Sequence, residues 1–82
     1  MPNWKEENNA LHQDFTCENF TQAFAFMTEV AFAAEAAAHH PEWSNVYNRV
    51  SIKLTTHDAG NTVTDKDRTL ARRIDEIFTK YA

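Results

Sequence analysis

Residues 10–16 carry a weak two-residue alternation, with Leu11, Gln13 and Phe15 on one side and Ala10, His12 and Asp14 on the other. This period predicts a strand, joined to a shorter one over 3–8 by a turn at Glu7-Asn8-Asn9. From 18 to 38 the period becomes helical. Phe20, Ala23, Phe24, Met27, Ala31 and Ala34 form a stripe expected to face the core, with Phe26, Val30 and Phe32 lying off it. A helix apolar over more than one face is buried on more than one side, so one face is expected to cover a sheet and another to meet a partner subunit. Pro41 limits this helix, because the residue before a proline is pushed out of the α region.

Residues 43–48 and 50–57 read as a hairpin. Val50, Ile52, Leu54 and Thr56 share one face of its second strand, and Asn48-Arg49 makes the connection. Strict alternation sends His57 to the opposite face, so either the site opens at the sheet edge or a bulge near Thr55-Thr56 re-aims the ring. Asp58-Ala59-Gly60-Asn61 supplies loop chemistry. Thr64 through Asp67 resembles a capping box opening a helix over 65–80, with Leu70, Ile74, Ile77, Phe78 and Tyr81 on one side. The order ββαββα predicts an α+β two-layer sandwich: a four-stranded antiparallel sheet with both helices packed on one face. No repeat or Gly/Ser linker interrupts it, so 1–82 reads as a single domain.

Composition narrows the function. Eight Lys plus Arg against twelve Asp plus Glu leave a net charge of −4, which argues against nonspecific nucleic-acid binding. No apolar run reaches membrane-spanning length, and no basic-then-apolar leader opens the chain; a cytoplasmic protein is expected. The lone Cys17 can form no internal disulfide and fits a reducing compartment. A chain of 82 residues buries only about 60–65% of its unfolded surface, and six Phe and two Trp add apolar area beyond one thin core, so a homo-oligomer is expected.

The candidate chemistry centres on Glu35, the pair His39-His40 with Pro41, and His57. Helix end and strand end can converge at one edge of a two-layer fold. Imidazoles gathered there would give and take protons near neutral pH. The plainer alternative is a polar helix stop and a satisfied loop histidine. Adjacent His39 and His40 are badly spaced for a metal, since helical ligand pairs fall at i, i+4. Asp67 is open to two uses, capping a backbone or facing a site.

Phe24-Ala25-Phe26-Met27-Thr28, Glu35-Ala36-Ala37-Ala38-His39-His40-Pro41-Glu42-Trp43, Asn45-Val46-Tyr47-Asn48, Thr55-Thr56-His57-Asp58 and Thr64-Asp65-Lys66-Asp67 together resemble the pterin-4a-carbinolamine dehydratases. The resemblance runs from Trp4 to Ile74. It implies the same sandwich and dehydration of 4a-hydroxytetrahydropterin to quinonoid dihydropterin in tetrahydrobiopterin recycling. It implies no metal or organic cofactor, and a functional link to an aromatic amino acid hydroxylase. It places the catalytic histidines at His39, His40 and His57, pterin contacts at Pro41, Trp43, Thr56, Asp58 and Ala59, and supporting carboxylates at Glu35 and Asp67. Some animal relatives also serve as dimerisation cofactors of a homeodomain transcription factor, which makes an interaction scaffold the alternative function. Two departures stand out. Ala38 occupies a position that is acidic in some relatives, and the additional N-terminal helical segment of many animal members is not in this sequence, so a homodimer is expected at least as much as a homotetramer.

Overall fold

The computed structural model describes residues 3–82. Strands β1 (Lys5–Glu7) and β2 (Ala10–Thr16) form a hairpin, followed by helix α1 (Phe20–Ala36). Strands β3 (Glu42–Val46) and β4 (Arg49–Leu54) form a second hairpin, a 3-10 turn spans His57–Ala59, and helix α2 (Asp65–Phe78) completes the described elements. The strands lie in the order β1-β2-β4-β3, with every neighbour antiparallel. The expected α+β sandwich is therefore the observed fold.

Turn chemistry sets the hairpin registers. Asn8 and Asn9 both take positive φ (51° and 63°), which a tight two-residue turn demands and asparagine tolerates, and Glu7 pairs with Ala10 across it. The second turn sits at Tyr47-Asn48, one residue before the expected Asn48-Arg49. Asn48 explains the shift: its carbonyl accepts from Cys17 N–H at 2.7 Å, and its side-chain amide donates to the Cys17 carbonyl at 3.0 Å. The turn is thereby pinned to the chain entering α1.

Alternation in β4 behaves as expected. Val50, Ile52 and Leu54 pair with Phe15, Gln13 and Leu11 on the face covered by the helices. In α1 the expected stripe is rotated. Ala23, Phe26, Val30 and Ala34 face inward, while Phe20 and Phe24 are 49% and 56% exposed. The helix carries two apolar stripes of equal period. The one turned inward has alanines at 23 and 34, which let the backbone approach the sheet, and Phe26 between them. Phe26 packs against Phe15 and Phe78 at centroid distances of 5.0 and 5.2 Å. Both helices are also shorter than expected, α1 against 18–38 and α2 against 65–80.

Asp75 on α2 accepts from Trp4 Nε1 and from Gln13 Nε2, each at 3.0 Å, tying that helix to the sheet. The other face of the sheet carries His12, Asp14, Ser51 and Lys53 and remains uncovered by helix.

Candidate functional site

The site forms where α1 ends, β4 ends and α2 begins. Helix α1 closes in a Schellman arrangement: Ala38 N–H donates to the Glu35 carbonyl and His39 N–H to the Ala34 carbonyl, both at 3.0 Å. The left-handed position belongs to Ala38, at φ 51°, where glycine is usual. This turn directs His39 back toward the body of the protein. Its side chain is only 10% exposed, and Nε2 meets Asp67 Oδ1 at 2.5 Å.

Asp67 is fully buried. It sits at the third position of α2 and completes the capping box with Thr64, whose N–H donates to Oδ2 at 2.9 Å. The Thr56 hydroxyl donates to the same oxygen at 2.7 Å. Burial alone would raise the Asp67 pKa. The bonds from His39, Thr64 N–H and Thr56 outweigh that effect and hold it below the ordinary carboxyl value. Capping and facing the site, open alternatives in the sequence, are thus both performed by one carboxylate.

His57 stands just outside β4. The expected strand to residue 57 stops at Leu54, and neither a bulge nor continued alternation sets the ring. Thr56 turns inward on the parity of Leu54, and the chain then curls around the Thr56 carbonyl, which accepts from Asn61 N–H at 3.1 Å. His57 opens the 3-10 turn, exposed, with Nδ1 donating to Asn61 Oδ1 at 2.6 Å. Gly60 ends the turn at φ 83°, a conformation that glycine adopts without strain.

His39 bonds Asp67 directly, and His57 is the next residue in the chain after Thr56, which bonds the same carboxylate, while its own ring bonds Asn61. No hydrogen bond joins His40 to either. It lies exposed and pairs with Glu35 at 2.8 Å, a contact that solvent screens. Asp58 and Ala59 line an open hollow of about 420 Å³ together with Thr56, Thr64, Asp65 and Lys66. Pro41 and Trp43 are half-buried, Trp43 packing against the core from the edge strand β3. A separate hollow of about 220 Å³ lies on the open sheet face among His12, Asp14, Glu42 and Lys53, and neither hollow is lined by His39, His40 or His57. Among the described residues, no three His, Cys, Asp or Glu side chains converge as a metal site.

Sequence reasoning missed two participants, Thr64 as a side-chain partner and Asn61 as the acceptor for His57. The first left a signal. Thr56 falls on the apolar face of its strand, and a buried hydroxyl requires a partner. Thr56 itself is 5% exposed with its hydroxyl engaged, which makes its side chain a support beneath the hollow.

The chain is thus a small α+β sandwich in which a buried carboxylate at the start of α2 holds a histidine from the end of α1, and comparison with known sequences gives the family. The model of the family described as pterin 4 alpha carbinolamine dehydratase matches residues 1–77. The chain belongs to that family. A protein of Synechococcus sp. (strain WH7803), named as a candidate pterin-4-alpha-carbinolamine dehydratase, is 54% identical over 77 residues, covering 94% of this chain and 82% of its own. One of Chloroflexus aurantiacus (strain ATCC 29366 / DSM 635 / J-10-fl), named likewise, is 55% identical with the same coverage. Among solved structures, a Brucella melitensis protein described as a transcriptional coactivator/pterin dehydratase superposes with a TM-score of 0.87 at 40% identity, covering 92% of this chain and 81% of that one. A pterin dehydratase-like RuBisCO assembly factor of the alpha-carboxysome shares the fold at a TM-score of 0.73 and 23% identity, covering 90% and 84%.

Proposed function

We propose that the protein dehydrates 4a-hydroxytetrahydropterin, with residues 1–82 acting as one cytoplasmic dehydratase unit that returns quinonoid dihydropterin to tetrahydrobiopterin recycling beside an aromatic amino acid hydroxylase. The observation that carries this reading is the anchoring of His39 on buried Asp67, with His57 one residue beyond Thr56 on the same carboxylate. The substrate bears a hydroxyl on C4a and a proton on N5. Losing both forms a C4a=N5 bond and releases water. Hydroxide leaves poorly, so an acid delivers a proton to the departing oxygen while a base collects the one on N5. Each positioned group is worth about 10²–10⁴-fold. His39 and His57 act on the substrate. His40 orients the pterin, and Glu35 steadies His40 through their contact. Pro41, Trp43, Asp58 and Ala59 line the pterin, and Thr56 and Asp67 support from beneath. The chemistry asks for no metal or organic cofactor.

The test is loss of the 4a-carbinolamine absorbance on adding chelator-treated protein. His57→Ala and His39→Gln should each lower the rate at least tenfold while the domain stays folded. Full activity in both variants would refute the assignment.

The exposed aromatic face of α1, with Phe24 56% and Phe32 75% exposed, supports self-association into a homodimer or homotetramer. The same face supports a second function, as a scaffold for a helical partner. Capture of a helical peptide by folded protein with His39, His40 and His57 all replaced would establish that role, and its failure would remove it.

A further inference from the structure

Thr56 and Thr64 are side chains whose bonds the dehydration chemistry does not itself require. Their hydroxyl oxygens lie 2.7 Å apart, and Thr56 Oγ1 also lies 2.7 Å from Asp67 Oδ2. Proton counting fixes the direction of this chain. Asp67, held ionised, can only accept. The single Thr56 proton therefore goes to Oδ2, and the Thr56 lone pair is left to accept from the Thr64 hydroxyl. Thr64 Oγ1 in turn accepts from Lys66 N–H at 3.3 Å, inside the helix cap. The order is Lys66 N–H, Thr64 O–H, Thr56 O–H, Asp67 Oδ2, and each link leaves the next no freedom to reverse.

The far oxygen of Asp67 is then equally committed. Oδ1 offers no proton, so His39 Nε2 must carry one. Among the described residues Nδ1 has no hydrogen-bond partner, yet none of their buried side-chain polar atoms is left unpartnered, so Nδ1 reaches solvent. A proton can therefore enter and leave His39 only through Nδ1, whichever charge the ring has.

We infer that Thr56 and Thr64 are positioning residues of the dehydratase site, their one-way hydroxyl chain holding Asp67 as a pure acceptor so that His39 presents Nδ1 to the pterin. This inference rests on the function proposed above and adds to it the working atom of one histidine and two residues that set it. Neither threonine hydroxyl touches substrate; each acts through Asp67.

The experiment has two arms. In the first, ¹⁵N-labelled histidine in the wild-type protein is examined by long-range ring correlation spectroscopy at neutral pH. In the neutral form of its ring His39 should show a protonated Nε2 and a bare Nδ1, and the opposite tautomer overturns the inference whether or not the protein is a dehydratase. In the second, Thr56→Val should lower kcat about tenfold, the factor carried by one ordinary hydrogen bond, with KM little changed. Thr56→Ser should restore most of the loss. Adding Thr64→Val to Thr56→Val should cost far less kcat than Thr64→Val costs alone, since both cut one chain. Wild-type kcat in Thr56→Val, or fully additive losses, would overturn the positioning role while leaving the dehydratase reading intact. Absence of dehydration by the wild-type protein would sink that reading and, with it, the assignment of Nδ1 to catalysis. Should Thr56→Val fail to fold, the wild-type tautomer and the Thr56→Ser rate still decide.

Discussion

Asp67 has no exposed surface and accepts from a ring nitrogen, a hydroxyl and a backbone N–H. Replacing it with Asn keeps the shape but turns an NH₂ toward one of those donors. We expect Asp67→Asn to lose about 1–3 kcal/mol, the usual cost of leaving a buried donor without its acceptor, measured by urea unfolding at neutral pH. The pH dependence follows from the direction of its shift. A carboxyl held below its unfolded value contributes stability that is fully present above the unfolded value and is lost as pH falls through the folded one. Wild-type unfolding free energy should therefore fall steeply in the acid range, and Asp67→Asn should flatten that limb. The sequence identified Asp67 as either a cap or a site group, and a helix-start motif alone had no means of choosing. The histidine that makes it both lies 28 residues away in the chain, beyond any local pattern. His57 was similarly half-legible. Its face could be counted, but the strand end at Leu54 depends on a loop folding around one carbonyl.

At the level of elements, the close of α1 holds local strain. Alanine at φ 51° gives up about 1 kcal/mol relative to glycine, which has no Cβ to clash. Ala38→Gly should raise stability by about 0.5–1 kcal/mol and Tm by several degrees, read by thermal unfolding. A fall in Tm would show that the left-handed turn is not the conformation in solution. The rotation of the α1 stripe gives a second test. Phe26→Ala should cost about 3–5 kcal/mol, and Phe24→Ala, changed in dilute monomer, less than about 0.5 kcal/mol. Strands, helices and their order were readable because β4 alternates cleanly and α2 is polar on one side. Helix α1 was not, because Phe20 and Phe24 repeat as regularly as Phe26 and Val30, and periodicity does not say which row meets Phe15.

Across the whole molecule, a thin core with exposed Phe20, Phe24 and Phe32 fits association, and a dimer of any kind makes Tm rise with protein concentration. Phe24→Asp combined with Phe32→Asp should reduce the mass seen by sedimentation and remove that dependence. An unchanged mass would mean that subunits meet elsewhere. Strand β1 is a weak candidate for that, since its three residues are Lys5, Glu6 and Glu7, all exposed, and charge discourages edge pairing. No helix among the described residues is long and apolar enough to cross a membrane.

Because a single carboxylate both starts α2 and restrains an imidazole, natural variation cannot retune the one role without disturbing the other. A lineage drifting toward another substrate would keep this aspartate even after catalysis had lapsed, since the protein would still need it to reach its native shape. Its retention in a relative is therefore poor testimony to activity; the solvent-facing His57, which the architecture can spare, is the better witness.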